Sequence, residues 1–156
     1  MSEIASTGDK RFHVSLEADD WNKIKHLFDR IMNDDGVYSI NLDERHFSIA
    51  LEDRSMCELD RSEGVVIEEA IKHGAKIGRD DNCFWFARLK IMTTRQGLGT
   101  KVMSWVGEIF DELGWWIVNC PNAYGGMSQE DLIKFYEKHG FKLIADQFMI
   151  REPKSK

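Results

Sequence analysis

Residues 83–118 carry the pattern that most constrains how this chain folds. Apolar side chains alternate along residues 83–91, which predicts a strand. Residues 100–113 repeat apolar side chains at helical spacing and are followed by Gly114, a typical helix stop. Residues 115–118 are continuously apolar, as in a buried parallel strand. A strand, helix and strand within about 35 residues predict a β-α-β unit with a right-handed crossover. One face of the first strand is predicted to be wholly apolar, with Cys83, Trp85, Ala87, Leu89 and Ile91.

A glycine turn, Gln96-Gly97-Leu98-Gly99-Thr100, joins the first strand of this unit to its helix. Glycines allow a tight turn, and successive N–H groups at a helix N-terminus form a site for an anion such as a diphosphate. The dinucleotide pattern needs a third glycine where Val102 stands, and no Gly-Lys-Ser/Thr occurs for a phosphate loop of the Walker type. Taken alone, the turn is equally well explained as a simple link between strand and helix.

The remaining segments predict an α/β chain forming one domain, residues 1–156. Alternation predicts further strands at residues 12–16, 38–42, 47–51, 141–144 and 148–151. Helical spacing predicts helices at residues 17–33, 62–74 and 128–139. Residues 65–67 would also suit a strand, but the helix is preferred because the pattern ends at Gly74. Ser128 to Asp131 resembles a capping box.

Charge and cysteine content narrow the classes of function. The formal net charge is −6, whereas nucleic-acid binders usually present a basic field, so a nucleic-acid partner is disfavoured and a cationic amine is mildly favoured. The three cysteines, Cys57, Cys83 and Cys120, are scattered, which argues against a disulfide framework or zinc knuckle and for a reducing compartment. Neither a signal peptide nor a membrane span is recognisable, so a cytoplasmic protein is expected, without a metal.

Two motifs resemble those of the GNAT superfamily of N-acetyltransferases. Residues 94–99, Thr-Arg-Gln-Gly-Leu-Gly, are similar to its acetyl-CoA signature Q/R-x-x-G-x-G/A after the fourth strand, although Thr94 departs from the usual Gln or Arg. Residues 135–141, Phe-Tyr-Glu-Lys-His-Gly-Phe, are similar to its second signature. The resemblance covers residues 83–151 and implies a mostly antiparallel central sheet, splayed between its fourth and fifth strands and flanked by helices. Residues 11–82 would then shape the acceptor site.

The resemblance also implies roles for matching positions. The backbone of Leu89 and Ile91 would pair with the pantetheine arm of acetyl-CoA, and a backbone N–H near Ile91 would polarise the thioester. Tyr136 matches a tyrosine that protonates the departing thiolate, and a phenol of pKa near 10 suits that task. Gln129 stands where many members place an asparagine that touches the cofactor. The pyrophosphate would lie in a cradle formed by Arg95, Gln96, Gly97, Leu98, Gly99 and Thr100.

The acceptor is expected to be a primary amine, either a small molecule or a protein lysine. Candidates for the base that deprotonates it are His46, Glu68, Glu69, His73 and Asp81. Cys120 lacks a His/Asp constellation that would support a covalent mechanism. The tryptophans are mostly expected in the core, and a homodimer remains possible. The chain is also similar to small acetyltransferases of phages and mobile elements, which leaves open a non-catalytic, protein-binding GNAT scaffold, such as an anti-defence factor.

Overall fold

A computed structural model describes the backbone of residues 4–5 and residues 11–90, 97–121 and 128–154. Its strands are β1 (Ile4–Ala5), β2 (Phe12–Glu17), β3 (Val37–Asp43), β4 (His46–Leu51), β5 (Met56–Arg61), β6 (Cys83–Lys90), β7 (Trp116–Asn119), β8 (Phe141–Ala145) and β9 (Phe148–Arg151). Its helices are α1 (Ala18–Met32), α2 (Gly64–Lys72), α3 (Leu98–Leu113) and α4 (Gln129–Lys138). No helix in these ranges is long and apolar enough to cross a membrane.

The strands lie in one mixed sheet in the order β1-β2-β3-β4-β5-β6-β7-β9-β8. The pairs β2/β3 and β6/β7 are parallel, and the other neighbouring strands are antiparallel. The prediction of an α/β chain with a mostly antiparallel central sheet is therefore confirmed. The predicted β-α-β unit is present, because α3 connects the parallel strands β6 and β7.

Helices cover the sheet on both faces and define two cores. On one face α1, α3 and Tyr136 of α4 pack against side chains such as Phe47, Phe84 and Ile117. On the other face α2 packs against Cys83, Trp116, Val118 and Ile150 through Ile67 and Ala70. The side chains of β7 alternate between the two cores, Trp116 and Val118 facing α2 and Ile117 facing α3. This alternation follows from the two-residue period of a strand.

Two residues that the sequence indicated as helix ends, Gly114 and Ser128, have that role in the structure. Gly114 caps α3 in the left-handed conformation at φ 70°, and the Ser128 side chain accepts a hydrogen bond from the N–H of Asp131 at 3.1 Å. Residues 64–72 form the helix α2, which confirms the prediction of a helix over a strand for this segment. The sequence reading missed β5, whose pattern is only partly apolar.

One prediction about β6 is wrong. Trp85 was expected on a wholly apolar face and in the core, but 45% of its surface is exposed. Cys83, two residues earlier on the same face, is buried beneath α2. Trp85 differs because it lies where β6 separates from β7, at the edge of the cover that α2 provides.

Candidate functional site

The sheet opens between its two parallel strands. β6 and β7 are paired only from Cys83 to Trp85 and from Trp116 to Val118. β6 continues to Lys90, paired with β5 along this length, while β7 ends at Asn119. Within the described residues, the edge of β6 that faces β7 therefore has no strand partner from Phe86 onwards. This separation exposes backbone hydrogen-bonding groups along the edge of β6.

A cleft of about 630 Å³ lies at this separation. Its walls are mainly apolar, with Val65, Val66, Trp85, Phe86, Val118 and Phe148, and its polar residues are Arg61, Glu63, Glu69, Asn119 and Cys120. Trp85 and Val118 precede Phe86 and Asn119 on their strands, so successive residues of both strands line the cleft. Because successive side chains point to opposite faces, the cleft reaches from the α2 face into the gap between the strands.

The charged residues of the cleft lie mostly on the α2 side. Glu63 precedes α2, and Glu69 lies within the helix, with its carboxylate 3.1 Å from Nε2 of the exposed His73. Arg61 donates a hydrogen bond to the Glu44 carbonyl at 3.4 Å. The carboxylates of Glu63 and Glu69 outnumber the single guanidinium of Arg61. The α2 side of the cleft therefore has a negative formal charge, which favours a cationic molecule.

The N-terminus of α3 lies at the same edge of the sheet as the cleft. β6 and β7 are parallel, so their carboxyl ends meet at one edge, and a helix that follows β6 begins there. Gly97 precedes the helix at φ 94°, a left-handed conformation that favours glycine, and as a glycine it has no side chain with which to cap the helix. The first turn carries no acidic residue, and Gly97 and Thr100 are exposed. The N–H groups of this turn fit an anion such as a phosphate.

A second depression, of about 410 Å³, lies beside α3 and is lined by Asp34, Gly36, Leu51, Glu52, Asp53, Leu98, Lys101 and Trp105. The Lys101 ammonium bonds the Asp34 carboxylate, which lowers the pKa of Asp34, and it also lies 5.4 Å from the Trp105 ring. The acidic lining makes this depression unsuited to an anion, so any phosphate would bind at the exposed helix end.

Tyr136 lies under the cleft and does not line it. It is 5% exposed, and its ring centroid lies 5.7 Å from that of Phe86 and 5.4 Å from that of Phe141. Phe86 also lines the cleft, so a single ring separates Tyr136 from it. Gln129 donates from Nε2 to the Pro121 carbonyl at 2.8 Å and thereby joins the start of α4 to the chain after β7.

The structure separates the five candidate bases. Glu69 alone of them lines the cleft. Glu68 pairs with Arg79 on the surface, and the Asp81 carboxylate accepts from the Gly78 N–H at 2.7 Å within a turn. His46 contacts Asp60 at 2.7 Å on β4 and β5, away from the cleft lining. His73 reaches the cleft only through Glu69.

The cysteines show no sign of an activated nucleophile. Burial raises the pKa of the Cys83 thiol to about 11 and raises that of Cys57 further. Cys120 lines the cleft and is exposed, but partial desolvation raises the pKa of its thiol too. A raised pKa reduces the thiolate fraction, which is the reactive form. No cluster of three metal-binding side chains occurs among the described residues.

Several predicted positions lie outside the described residues, namely Ile91, Thr94, Arg95 and Gln96. Leu89 is half-buried on β6 and pairs with Cys57 of β5. It lies in the part of β6 that is not paired with β7. Glu63, Trp85 and Asn119 were not singled out from the sequence as site residues. Only the strand separation, which is a tertiary feature, brings them to one cleft.

Comparison with known proteins leaves the family of this chain open. No family model matches the sequence, and no curated protein matches it. Among solved structures, the chain is similar to the crystal structure of the anti-CRISPR protein AcrVA5, with 21% identity and a TM-score of 0.47. That similarity covers 68% of this chain and 97% of the other.

Proposed function

We propose that this protein is an N-acyltransferase that moves an acetyl group from acetyl-CoA to a primary amine by direct attack. The observation that carries the proposal is the cleft at the separation of β6 and β7, because it reaches from the α2 face into the gap between these strands. One ligand can enter such a gap from the α3 side and another from the α2 side, so that their reactive ends meet between the strands.

The α3 side supplies groups suited to acetyl-CoA. When bound, acetyl-CoA supplies an acetyl group activated as a thioester. The N–H groups of Leu98, Gly99 and Thr100 would hold the pyrophosphate, with Arg95 and Gln96 completing the cradle. The free edge of β6 around Leu89 would hold the pantetheine arm as an added strand does, through backbone hydrogen bonds.

The α2 side supplies groups suited to a protonated amine. Glu63 and Glu69 would attract the ammonium group, while Val65 and the exposed Trp85 would contact an alkyl chain such as that of lysine. The Glu69 carboxylate would accept the proton that the amine loses before attack. Its 3.1 Å contact with the exposed His73 offers that proton a route to solvent.

Tyr136 would serve as the proton donor to the departing sulfur, its Oη giving up a proton and regaining one from solvent. Phe86, which separates the Tyr136 ring from the cleft, would have to permit that approach. An acyl-enzyme on Cys120 is disfavoured, because the raised thiol pKa leaves little thiolate at neutral pH.

The first test is intact-mass measurement of candidate amines, peptides and lysates after incubation with acetyl-CoA. We expect a gain of about 42 daltons on the acceptor, an acetyl group replacing a hydrogen, and stoichiometric release of free thiol. Calorimetry should detect acetyl-CoA binding in the absence of any acceptor. If neither acetyl-CoA nor CoA binds, the proposal is wrong, and a protein-binding module on the same fold becomes the better explanation.

The role of Tyr136 is tested by Tyr136→Phe, which keeps the ring and removes the hydroxyl. We expect turnover to fall by about 100-fold, within the range for a lost general acid, while acetyl-CoA affinity changes little. Tyr38→Phe is the matched control, because Tyr38 is 61% exposed and lines neither depression. Unchanged turnover in Tyr136→Phe, with a normal unfolding transition, would exclude Tyr136 as the donor.

A further inference from the structure

Asn119 places a polar group without a partner in the cleft. It is the last residue of β7, lines the cleft, and is 8% exposed. Its side-chain Nδ2 is buried and donates to no acceptor within the described part of the chain. Buried amide groups in proteins are nearly always paired, so an unpaired one calls for an explanation. A ligand that brings a hydrogen-bond acceptor into the cleft supplies one.

The position of Asn119 indicates which ligand this is. Along β7, Trp116 and Val118 face the α2 core and Ile117 faces the α3 core. Asn119 lies two residues after Ile117 and therefore on the same face of β7, so its side chain points to the α3 side. That is the side on which the proposed acetyl-CoA cradle lies, whereas Glu63 and Glu69 lie on the α2 side. The amide therefore faces the acyl donor and not the amine.

We infer that Nδ2 of Asn119 donates a hydrogen bond to the carbonyl oxygen of the acyl group carried by CoA. This inference rests on the proposed function. The amide carbonyls of the pantetheine arm are also acceptors, but these would pair with the free backbone edge of β6, which leaves the acyl carbonyl as the acceptor for the Asn119 amide. The apolar rings and methyls of Phe86 and Val118 line the same cleft, and such surroundings strengthen the electrostatic part of the bond. A donor fixed there orients and polarises the carbonyl that the amine attacks.

The inference explains why the sequence retains an unpaired amide at this position. An asparagine that lacks a partner in the free protein destabilises it, and ligand-binding positions commonly carry such a cost. Asn119→Leu keeps the number and branching of the side-chain heavy atoms and removes the polar groups. We therefore expect its thermal unfolding midpoint to be equal to or higher than that of the natural protein, which separates loss of function from loss of fold.

The test uses a carbon-13 label at the ketone carbonyl of an acetyl-CoA analogue in which a methylene replaces the thioester sulfur. This analogue keeps the carbonyl and cannot transfer an acetyl group, so the readout is independent of activity. We expect the carbonyl resonance to move downfield when the analogue binds the natural protein, as it does when a donor engages the oxygen. Asn119→Leu and Asn119→Asp should bind the analogue without that shift, the second variant replacing the donor by an acceptor of the same shape.

Cys120→Ala is the matched control, because Cys120 lines the same cleft one residue later and is assigned no role. This variant should keep the downfield shift. In turnover with acetyl-CoA, the Asn119 variants should show kcat lowered by about 100-fold or more with a similar KM for acetyl-CoA, as expected for the loss of one donor to a reacting carbonyl oxygen.

The outcomes distinguish the two proposals. A shift that persists in both Asn119 variants would overturn the role of Asn119 and leave the proposed function intact. Failure of the natural protein to bind the analogue or acetyl-CoA would contradict the proposed function itself, and the role of Asn119 with it. Loss of the shift in Cys120→Ala as well would show that the cleft as a whole, and not the Asn119 amide, sets the carbonyl environment, which also overturns the inference.

Discussion

Arg151 holds three elements together through one buried side chain. It is 3% exposed, its guanidinium donates to both carboxylate oxygens of Asp111 at 2.8 and 3.0 Å, and its Nε donates to the His139 carbonyl at 2.8 Å. These bonds join β9 to α3 and to the end of α4. Gly107 leaves room for them, since a Cβ there would lie 2.9 Å from Nη2 of Arg151. The glycine in the middle of α3 is therefore explained by this contact.

Gly107→Val should lower the free energy of unfolding by about 2 kcal/mol, within the usual cost of overpacking a buried site. The guanidinium is the end of a flexible side chain, but its three hydrogen bonds prevent it from moving aside at little cost. Urea denaturation followed by circular dichroism measures the change. Ser104→Val introduces the same side chain on the exposed side of the same helix and should change stability by less than about 0.5 kcal/mol. Equal effects of the two variants would contradict the steric explanation.

Thiol reactivity tests the burial of the three cysteines. Cys57 and Cys83 are buried and their thiol pKa values are raised, whereas Cys120 is exposed with a pKa raised by partial desolvation. Iodoacetamide should alkylate the native protein once, at Cys120, more slowly than a free thiol at neutral pH. The rate should increase as the pH rises toward the Cys120 pKa, because the thiolate reacts. Peptide mass analysis gives the site, and native Cys120→Ser should remain unlabelled. Rapid labelling of Cys83 would contradict the packing of α2.

Among the elements, those with strong local signals could be predicted and those defined by their neighbours could not. α1, α3 and α4 have clear helical spacing with end signals at Gly114 and Ser128, and they form where the pattern places them. β5 was missed because only Cys57 and Leu59 of its six residues are buried, so its alternation is weak in sequence. It becomes a strand because β4 and β6 both pair with it.

The side-chain cap at the N-terminus of α4 can be tested by substitution. Ser128 accepts from the Asp131 N–H at 3.1 Å, so Ser128→Ala should lower the free energy of unfolding by about 1 kcal/mol. Ser128→Asp is the matched control, because aspartate caps comparably and its charge suits a helix N-terminus. Thermal unfolding of both variants measures the difference. Equal loss in the two would indicate that the hydroxyl contributes through something other than capping.

The candidate site was predictable in part, for reasons that particular residues make clear. Gly97 and Tyr136 stand in contiguous motifs, so a single sequence can draw attention to them. Trp85 and Asn119 lie 34 positions apart, and they share the cleft only because β6 and β7 separate there. Trp85 was predicted to lie in the core, and Asn119 lay just beyond the strand predicted at residues 115–118. Where paired strands separate is a property of the whole sheet, which alternation within one strand does not encode.

For the whole molecule, the proposed function requires two ligand sites on opposite faces of one sheet, and single substitutions can block them separately. Thr100→Glu places a carboxylate in the first turn of α3. There the carboxylate interacts favourably with the helix dipole and repels a pyrophosphate. Val65→Trp adds bulk at the α2 entrance, where Val65 is 70% exposed and contributes little to the core. Neither variant should be less stable without ligand.

Thermal unfolding with and without acetyl-CoA then separates the sites. Acetyl-CoA at 100 times its Kd should stabilise the natural protein by about 2.7 kcal/mol. Thr100→Glu should lose that stabilisation and its neutral control Thr100→Gln should keep it. Val65→Trp should keep it too, while KM for the amine rises several-fold. Loss of acetyl-CoA binding in Val65→Trp would contradict the proposal that the two ligands enter from opposite faces of the sheet. Unchanged acetyl-CoA binding in Thr100→Glu would contradict it as well. Opposite effects of the two variants are what a gap between parallel strands, with α3 on one side and α2 on the other, should produce.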